Sequence, residues 1–139
     1  LGRLFVTPII VPHRDEFSET VGYKIQGPQK SALFIPDIDK WEVWERSILE
    51  EIRTVDYALL DATFFDENEL PGRDMADTPH PFVVESIELF SELSDSEKAK
   101  VWFIHLNHSN PLLDSKSEAY QQVINKGFNI AQKGDKLDL

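Results

Sequence analysis

The 139-residue sequence contains no cysteine, which excludes disulfides, thiolate-ligated zinc and thiol catalysis and leaves the compartment open. Basic residues are scarce, 14 Lys and Arg against 25 Asp and Glu, for a formal charge of −11. A nucleic-acid surface needs clustered cations to neutralise phosphates, so nucleic acid is not an expected partner. No apolar run approaches the roughly 20 residues of a membrane span. Nor does a signal peptide precede the first element, because Leu1 opens almost directly onto the strand-like run Leu4 to Val11. A chain beginning inside a hydrophobic run reads as cut from a longer one. With 41% hydrophobic and 28% charged residues, the composition is that of a soluble globular domain, and it does not choose between cytoplasm and periplasm.

Residues 1–139 read as one unit, without repeats or low-complexity tracts. Leu4 to Val11 is nearly continuous in apolar residues, as in a strand, with Pro8 arguing for an edge or a bulge. Thr20 to Gln26 alternates, placing Val21, Tyr23 and Ile25 on one face, and Gly27-Pro28 turns into Ala32 to Ile35. The period then changes. Trp41, Trp44, Ile48, Ile52 and Val55 form one helical stripe, with Asp39 and Glu42 as a capping pair. Tyr57 to Leu60 is a short strand, Phe65 to Pro79 a polar loop, and a helix begins at Pro81 with Val83, Ile87 and Phe90 inward. Val101 to Leu106 is another strand, Ser117 to Lys126 a helix stopped by Gly127, and Phe128 to Leu139 a terminal hairpin. This order predicts an α/β protein, a mixed sheet with flanking helices.

Three ionisable residues fall at the carboxyl ends of predicted strands: Asp37, Asp61 and His105. Open α/β sheets place ligand sites there, and His80, at a predicted helix start, can lean over the same edge. Taken singly, each aspartate reads better as a turn former or cap. His105 reads equally as a hydrogen-bonded core histidine, and His80, between Pro79 and Pro81, as a loop residue. Their joint placement favours a metal or acid–base site. His13 to Glu16 faces either the same cleft or solvent, while His108 and Asn110 line a pocket or cap the turn at Pro111. Trp41 and Trp44 belong to the core rather than to a cofactor platform.

The stretch Phe103-Ile104-His105-Leu106-Asn107-His108-Ser109-Asn110-Pro111 resembles the late His-Leu/Ile-Asn-Asn-Thr-Asn-Pro segment of the pyrroloquinoline-quinone biosynthesis protein B family. Leu59-Leu60-Asp61-Ala62-Thr63-Phe64-Phe65, Gly72-Arg73-Asp74-Met75, His80 and Gly127 to Ala131 match that family in the same order. More widely, Phe34-Ile35-Pro36-Asp37, Asp61-Ala62-Thr63, His80 and Ile104-His105 resemble second-half motifs of metallo-β-lactamase-fold hydrolases such as ribonuclease Z.

The resemblance implies the C-terminal half of an αββα sandwich and a metal-dependent hydrolase acting on a small molecule. Asp37 would bridge two metals and His105 would bind one of them. Zinc is the implied metal, with iron or manganese as alternatives, and two cations about 3.5–4 Å apart can hold and activate a water. Asp61 would back His80 as a proton-transfer pair, since a carboxylate behind an imidazole fixes its tautomer. The superfamily's His-x-His-x-Asp-His cluster does not occur among the four histidines, so the implied dinuclear site needs ligands from an N-terminal half. The implied partner is that half, or a second copy in a homodimer. Asp37 departs from several quinone-biosynthesis members that lack the bridging aspartate, which favours a metallohydrolase-like relative of unknown substrate. Two other readings remain: a metal-dependent oxygenase-like enzyme of cofactor biosynthesis, and a binding module with incidental histidines.

Overall fold

Alternation of apolar residues along the strands dictates the architecture of this protein. A computed structural model describes residues 3–14, 16–72, 74–75 and 78–139. Among these, six strands form one sheet in chain order: β1 (Phe5–Val11), β2 (Thr20–Gln26), β3 (Ser31–Ile35), β4 (Tyr57–Asp61), β5 (Val101–Ile104) and β6 (Asn129–Ile130). β1, β2 and β3 form an antiparallel meander, and β3 to β6 run parallel to one another. Helices α1 (Ile48–Arg53), α2 (Val83–Leu89), α3 (Asp95–Lys98) and α4 (Glu118–Asn125) lie in the connections. The mixed α/β sheet with flanking helices expected from the sequence is therefore present.

One face of the sheet is buried. Ile9, Val11, Leu33, Ile35, Ala58, Leu60, Val101, Phe103 and Ile130 join Ile48, Ile52, Val83, Ile87, Phe90 and Val123 from the helices in a single core. Gly22 sits on this face, where an added Cβ would lie 2.9 Å from Ile35 Cγ1, so the close approach of β2 to its neighbour requires glycine. The alternate positions Val21, Tyr23, Ile25, Phe34, Leu59, Trp102 and Ile104 are only half-buried, and Val6 and Ile10 are exposed. Helices thus cover one face and leave an apolar face opposite. Val101 and Phe103 point into the helix-packed core, because β5 alternates and only Trp102 and Ile104 reach the opposite face.

Pro8 lies on an edge strand, the place in a sheet where a residue without an N–H is tolerated. Several elements differ from the sequence reading. The expected helix from Trp41 to Val55 is broken into a 3-10 turn at Trp41–Val43 and α1. Ser47 caps α1 by accepting from the Glu50 N–H, and Trp41 and Trp44 are buried outside any α-helix. Asp39 is not a cap; it faces His13. α2 begins at Val83, two residues after Pro81, with the Phe82 N–H donating to the Glu85 carboxylate. α3 was not anticipated, although Ser94 and Glu97 form a capping box that the sequence displays. The terminal hairpin does not form; β6 adds in parallel to β5, because its backbone completes that edge. No described helix is long and apolar enough to cross a membrane.

Candidate metal centre

Strand direction brings the polar residues together. In an antiparallel meander β1 and β3 point the same way, so β1 ends on the edge where the parallel strands β3, β4 and β5 also end. Residues just past β1, β3, β4 and β5 therefore share one rim: His13, Asp37, Asp61 at the last position of β4, and His105. His80 reaches the rim from the segment before α2.

His105 is the residue after β5, not within the strand as expected, and its backbone is left-handed at φ 62°. A non-glycine residue in that region carries strain, and histidine is one of the types that tolerates it best. The turn ends the β5 ladder and aims the ring back over the rim, within 3.8 Å of Asp61 Oδ1. Beyond it, Ala62 N–H donates to Ile104 C=O (2.9 Å) and Asn107 N–H to Thr63 C=O (3.0 Å), so the post-strand segments stay in register. Asn110, fully buried, donates to the Ala62 and Thr63 carbonyls and caps the 3-10 turn at Pro111–Leu113. Of the two roles open to Asn110, capping is the one observed; His108 is exposed.

Asp61 has no solvent exposure and receives four donors. Oδ2 accepts from His80 Nδ1 (2.8 Å) and the Ile38 N–H (3.2 Å), and Oδ1 from the Thr63 N–H (2.9 Å) and hydroxyl (2.6 Å). Burial alone would raise its pKa. The imidazoles of His105 and His80 and the Thr63 hydroxyl outweigh burial and hold it near 2, down from 3.8. At 3.8 Å the His105 contribution is one of charge rather than a hydrogen bond. In return Asp61 raises the His105 pKa against the opposing effect of burial, with Asp37 adding to the rise.

A depressed carboxylate stabilises the fold above its unfolded pKa of 3.8 and ceases to do so as the pH falls through about 2. The difference corresponds to about 2 kcal/mol. Urea melts of the metal-free protein between about pH 5 and pH 2 should lose that much more stability than melts of Asp61→Asn. Equal acid sensitivity in the two proteins would remove Asp61 as the cause.

Around Asp37 the arrangement is different. Its Oδ1 is buried without a hydrogen-bond partner, although His13 Nε2 lies at 3.2 Å and His80 Nδ1 at 3.4 Å. The His13 Nδ1 pairs with Asp39 at 2.9 Å, and the Asp39 N–H donates to Pro12 C=O, tying the two loops together. An imidazole whose Nδ1 proton serves Asp39 presents a lone pair at Nε2. With a neutral ring, that lone pair facing a carboxylate oxygen at 3.2 Å calls for a cation between them, whereas a protonated ring would form an ion pair with Asp37. The donor chemistry thus fits a metal ion beside Asp37. His13, Asp37 and His80 can each offer a ligand atom within 4.8 Å of the others, as can Asp37, Asp61 and His105. Asp37 belongs to both sets, which suits a shared ligand. Asp61 fits poorly as a ligand, because both its oxygens are already committed to donors.

The rim therefore holds all four residues expected from the sequence, Asp37, Asp61, His80 and His105, and adds His13 and Asp39. The sequence does contain the signal for His13. An odd-numbered strand of a meander ends where the third does, so a histidine just after β1 shares the rim with Asp37. A cleft of about 230 Å³ beside the rim is lined by Arg14, Thr63, Phe64, Thr78 and His80. A larger groove of about 570 Å³ lies along β1 and Val43–Arg46 and contains none of the rim residues. Asp15 and Arg73, which fall in stretches singled out in the sequence, lie outside the described residues.

Known proteins resemble this chain in sequence and in fold. The coenzyme PQQ synthesis protein B of Nitrosococcus oceani is 27% identical, in an alignment covering 91% of this chain and 43% of that protein. Its counterpart from Methylococcus capsulatus is 25% identical over 91% of this chain and 44% of that protein. The crystal structure of zinc-bound PqqB from Methylobacterium extorquens superimposes with a TM-score of 0.76 at 24% identity, over 100% of this chain and 48% of that one. At that identity the superposition speaks for the fold alone. The chain spans less than half the length of these relatives. Residues 1–106 match the family described as the beta-lactamase superfamily domain. A rim of imidazoles and carboxylates on a mixed sheet is thus found in a chain that belongs to the beta-lactamase superfamily, with a metallo-β-lactamase fold resembling that of PqqB.

Proposed function

We propose that this chain is the C-terminal half of a metal-dependent hydrolase of the superfamily, acting on a small molecule at a dinuclear zinc centre. In this reading Asp37 bridges the two ions, His13 and His105 each bind one, and an N-terminal half supplies the remaining ligands. The observation that carries the reading is Asp37 Oδ1, buried without a hydrogen-bond partner and faced by His13 Nε2 at 3.2 Å. When bound, divalent cations supply Lewis acidity at the reacting bond. The chain's own residues do the rest. Asp39 orients His13, and Asp61 holds the His80 ring by Nδ1 so that its other nitrogen can take or give a proton. His80 also lines the 230 Å³ cleft, a size suited to a small substrate rather than a polymer.

A second reading has its own support. The curated relatives are named for coenzyme synthesis, and His13, Asp37 and His80 make a set of two histidines and one carboxylate, which also suits non-haem iron in oxygenases. Counting zinc, iron and manganese by elemental analysis in the intact protein and in Asp37→Ala tests both readings. The proposal expects about two ions per chain and near-complete loss in the variant. Iron in the parent, with oxygen consumed on turnover, would favour the oxygenase. A folded protein without metal, or a variant that keeps it, would overturn both.

A further inference from the structure

Thr63 stands between two groups of the rim that do not hydrogen-bond each other directly. Its hydroxyl oxygen lies 2.6 Å from Asp61 Oδ1 and 3.1 Å from His105 Nδ1. A hydroxyl has one proton to donate and lone pairs to accept with. The Asp61 carboxylate takes N–H donors from Ile38, Thr63 and His80, so its oxygens act as acceptors. The shorter, charge-assisted contact therefore receives the Thr63 proton. The 3.1 Å contact must then run the other way, from His105 Nδ1–H to the threonine oxygen.

We infer that Thr63 is a positioning residue, whose hydroxyl selects the Nδ1-protonated tautomer of His105 and leaves the Nε2 lone pair for a metal ion. The last clause rests on the metal reading above; the tautomer does not. The arrangement repeats a pattern around the rim, in which His13 and His80 have their Nδ1 atoms held by Asp39 and Asp61. His105 differs because a neutral hydroxyl stands in for the direct carboxylate. Through that hydroxyl, Asp61 serves His80 and His105 at once. Thr63 is itself fixed, because its carbonyl accepts from the Asn107 N–H and the Asn110 side chain. Those bonds fix its backbone, and the contacts of the hydroxyl with Asp61 and His105 set the orientation of the side chain.

The test uses the intact protein with 15N-labelled histidine, stripped of metal by a chelator and examined by NMR above the pH at which His105 deprotonates. Parent and Thr63→Ser should carry the His105 proton on Nδ1, and Thr63→Val, of similar shape without the hydroxyl, should show a mixture of tautomers. Zinc titration of the same samples should give an affinity about 10–100-fold lower in Thr63→Val, with recovery in Thr63→Ser. A parent protonated on Nε2, or a tautomer unchanged in Thr63→Val, would overturn the assignment. If the tautomer follows Thr63 while neither parent nor Thr63→Ser binds zinc, the metal-directed half fails together with the proposed function, and the tautomer assignment stands.

Discussion

Replacing His80 by alanine in the intact protein should lower turnover by about 10²–10⁴-fold while leaving the metal content near that of the parent. The asymmetry follows from what His80 touches. Its Nδ1 is bonded to a fully buried Asp61 whose other contacts are backbone and threonine donors, so the pair is anchored to the fold. Removing the ring deprives the cleft of a proton carrier without removing Asp37, His13 or His105. The phenyl ring of Phe64 stands edge-on to the imidazole, with 6.1 Å between ring centroids. Asp61→Asn should have a smaller effect of the same kind, since the amide oxygen can still accept from His80 but carries no charge to stabilise an imidazolium. Metal analysis and turnover measured on the same preparations check the point. Metal lost in proportion to activity, with each remaining ion fully active, would make His80 a ligand instead.

The second large effect concerns the apolar face. Val21, Tyr23, Ile25, Phe34, Leu59, Trp102 and Ile104 are half-buried on a sheet whose other face is packed by helices, and Val6 and Ile10 add exposed area beside them. A soluble monomer ordinarily tolerates a contiguous apolar patch of only a few hundred Å². As the C-terminal half of a two-sheet sandwich, this face would pack against the other half-domain about 10 Å away. The isolated 139-residue chain should therefore sediment as a dimer or larger species, and should capture a separately produced N-terminal half. A lysine at Leu59, in the middle of the face, would be buried without a partner on association. It should weaken assembly by about 10²-fold or more, the equivalent of 3–5 kcal/mol, and lower the melting of the isolated chain only by the stability that self-association contributes. A monodisperse monomer that ignores the other half would sink the sandwich reading. That monomer holding two metal ions tightly would also refute the expectation that the missing ligands come from elsewhere.

Much of the fold was legible because strand and helix periods are local properties. β1 to β5 were anticipated within a few residues, as was the α4 stop at Gly127, whose φ of 89° suits glycine. The failures have a common physical cause. A single helix through Trp41 to Val55 satisfies the periodicity, but Trp44 donates its indole N–H to the Ile10 carbonyl and Trp41 to Ser86, and these distant bonds break the helix in two. β6 looked like half of a hairpin because the chain alone does not reveal that the edge of β5 is open to it.

The site divides in the same way. That carboxylates and histidines follow strands, at Asp37, Asp61 and His105, is written in the one-dimensional pattern. That β1 and β3 run the same way, bringing His13 from 24 positions upstream to within 3.2 Å of Asp37, is settled only when the strands pair. The left-handed turn at His105 and the Thr63 hydroxyl, which donates to a carboxylate and stands beside an imidazole, likewise exist only once β4 and β5 are packed side by side. Sequence determines which groups are available at a strand end. Tertiary structure decides which of them face one another, because hydrogen-bond direction and burial depend on neighbours that are remote along the chain.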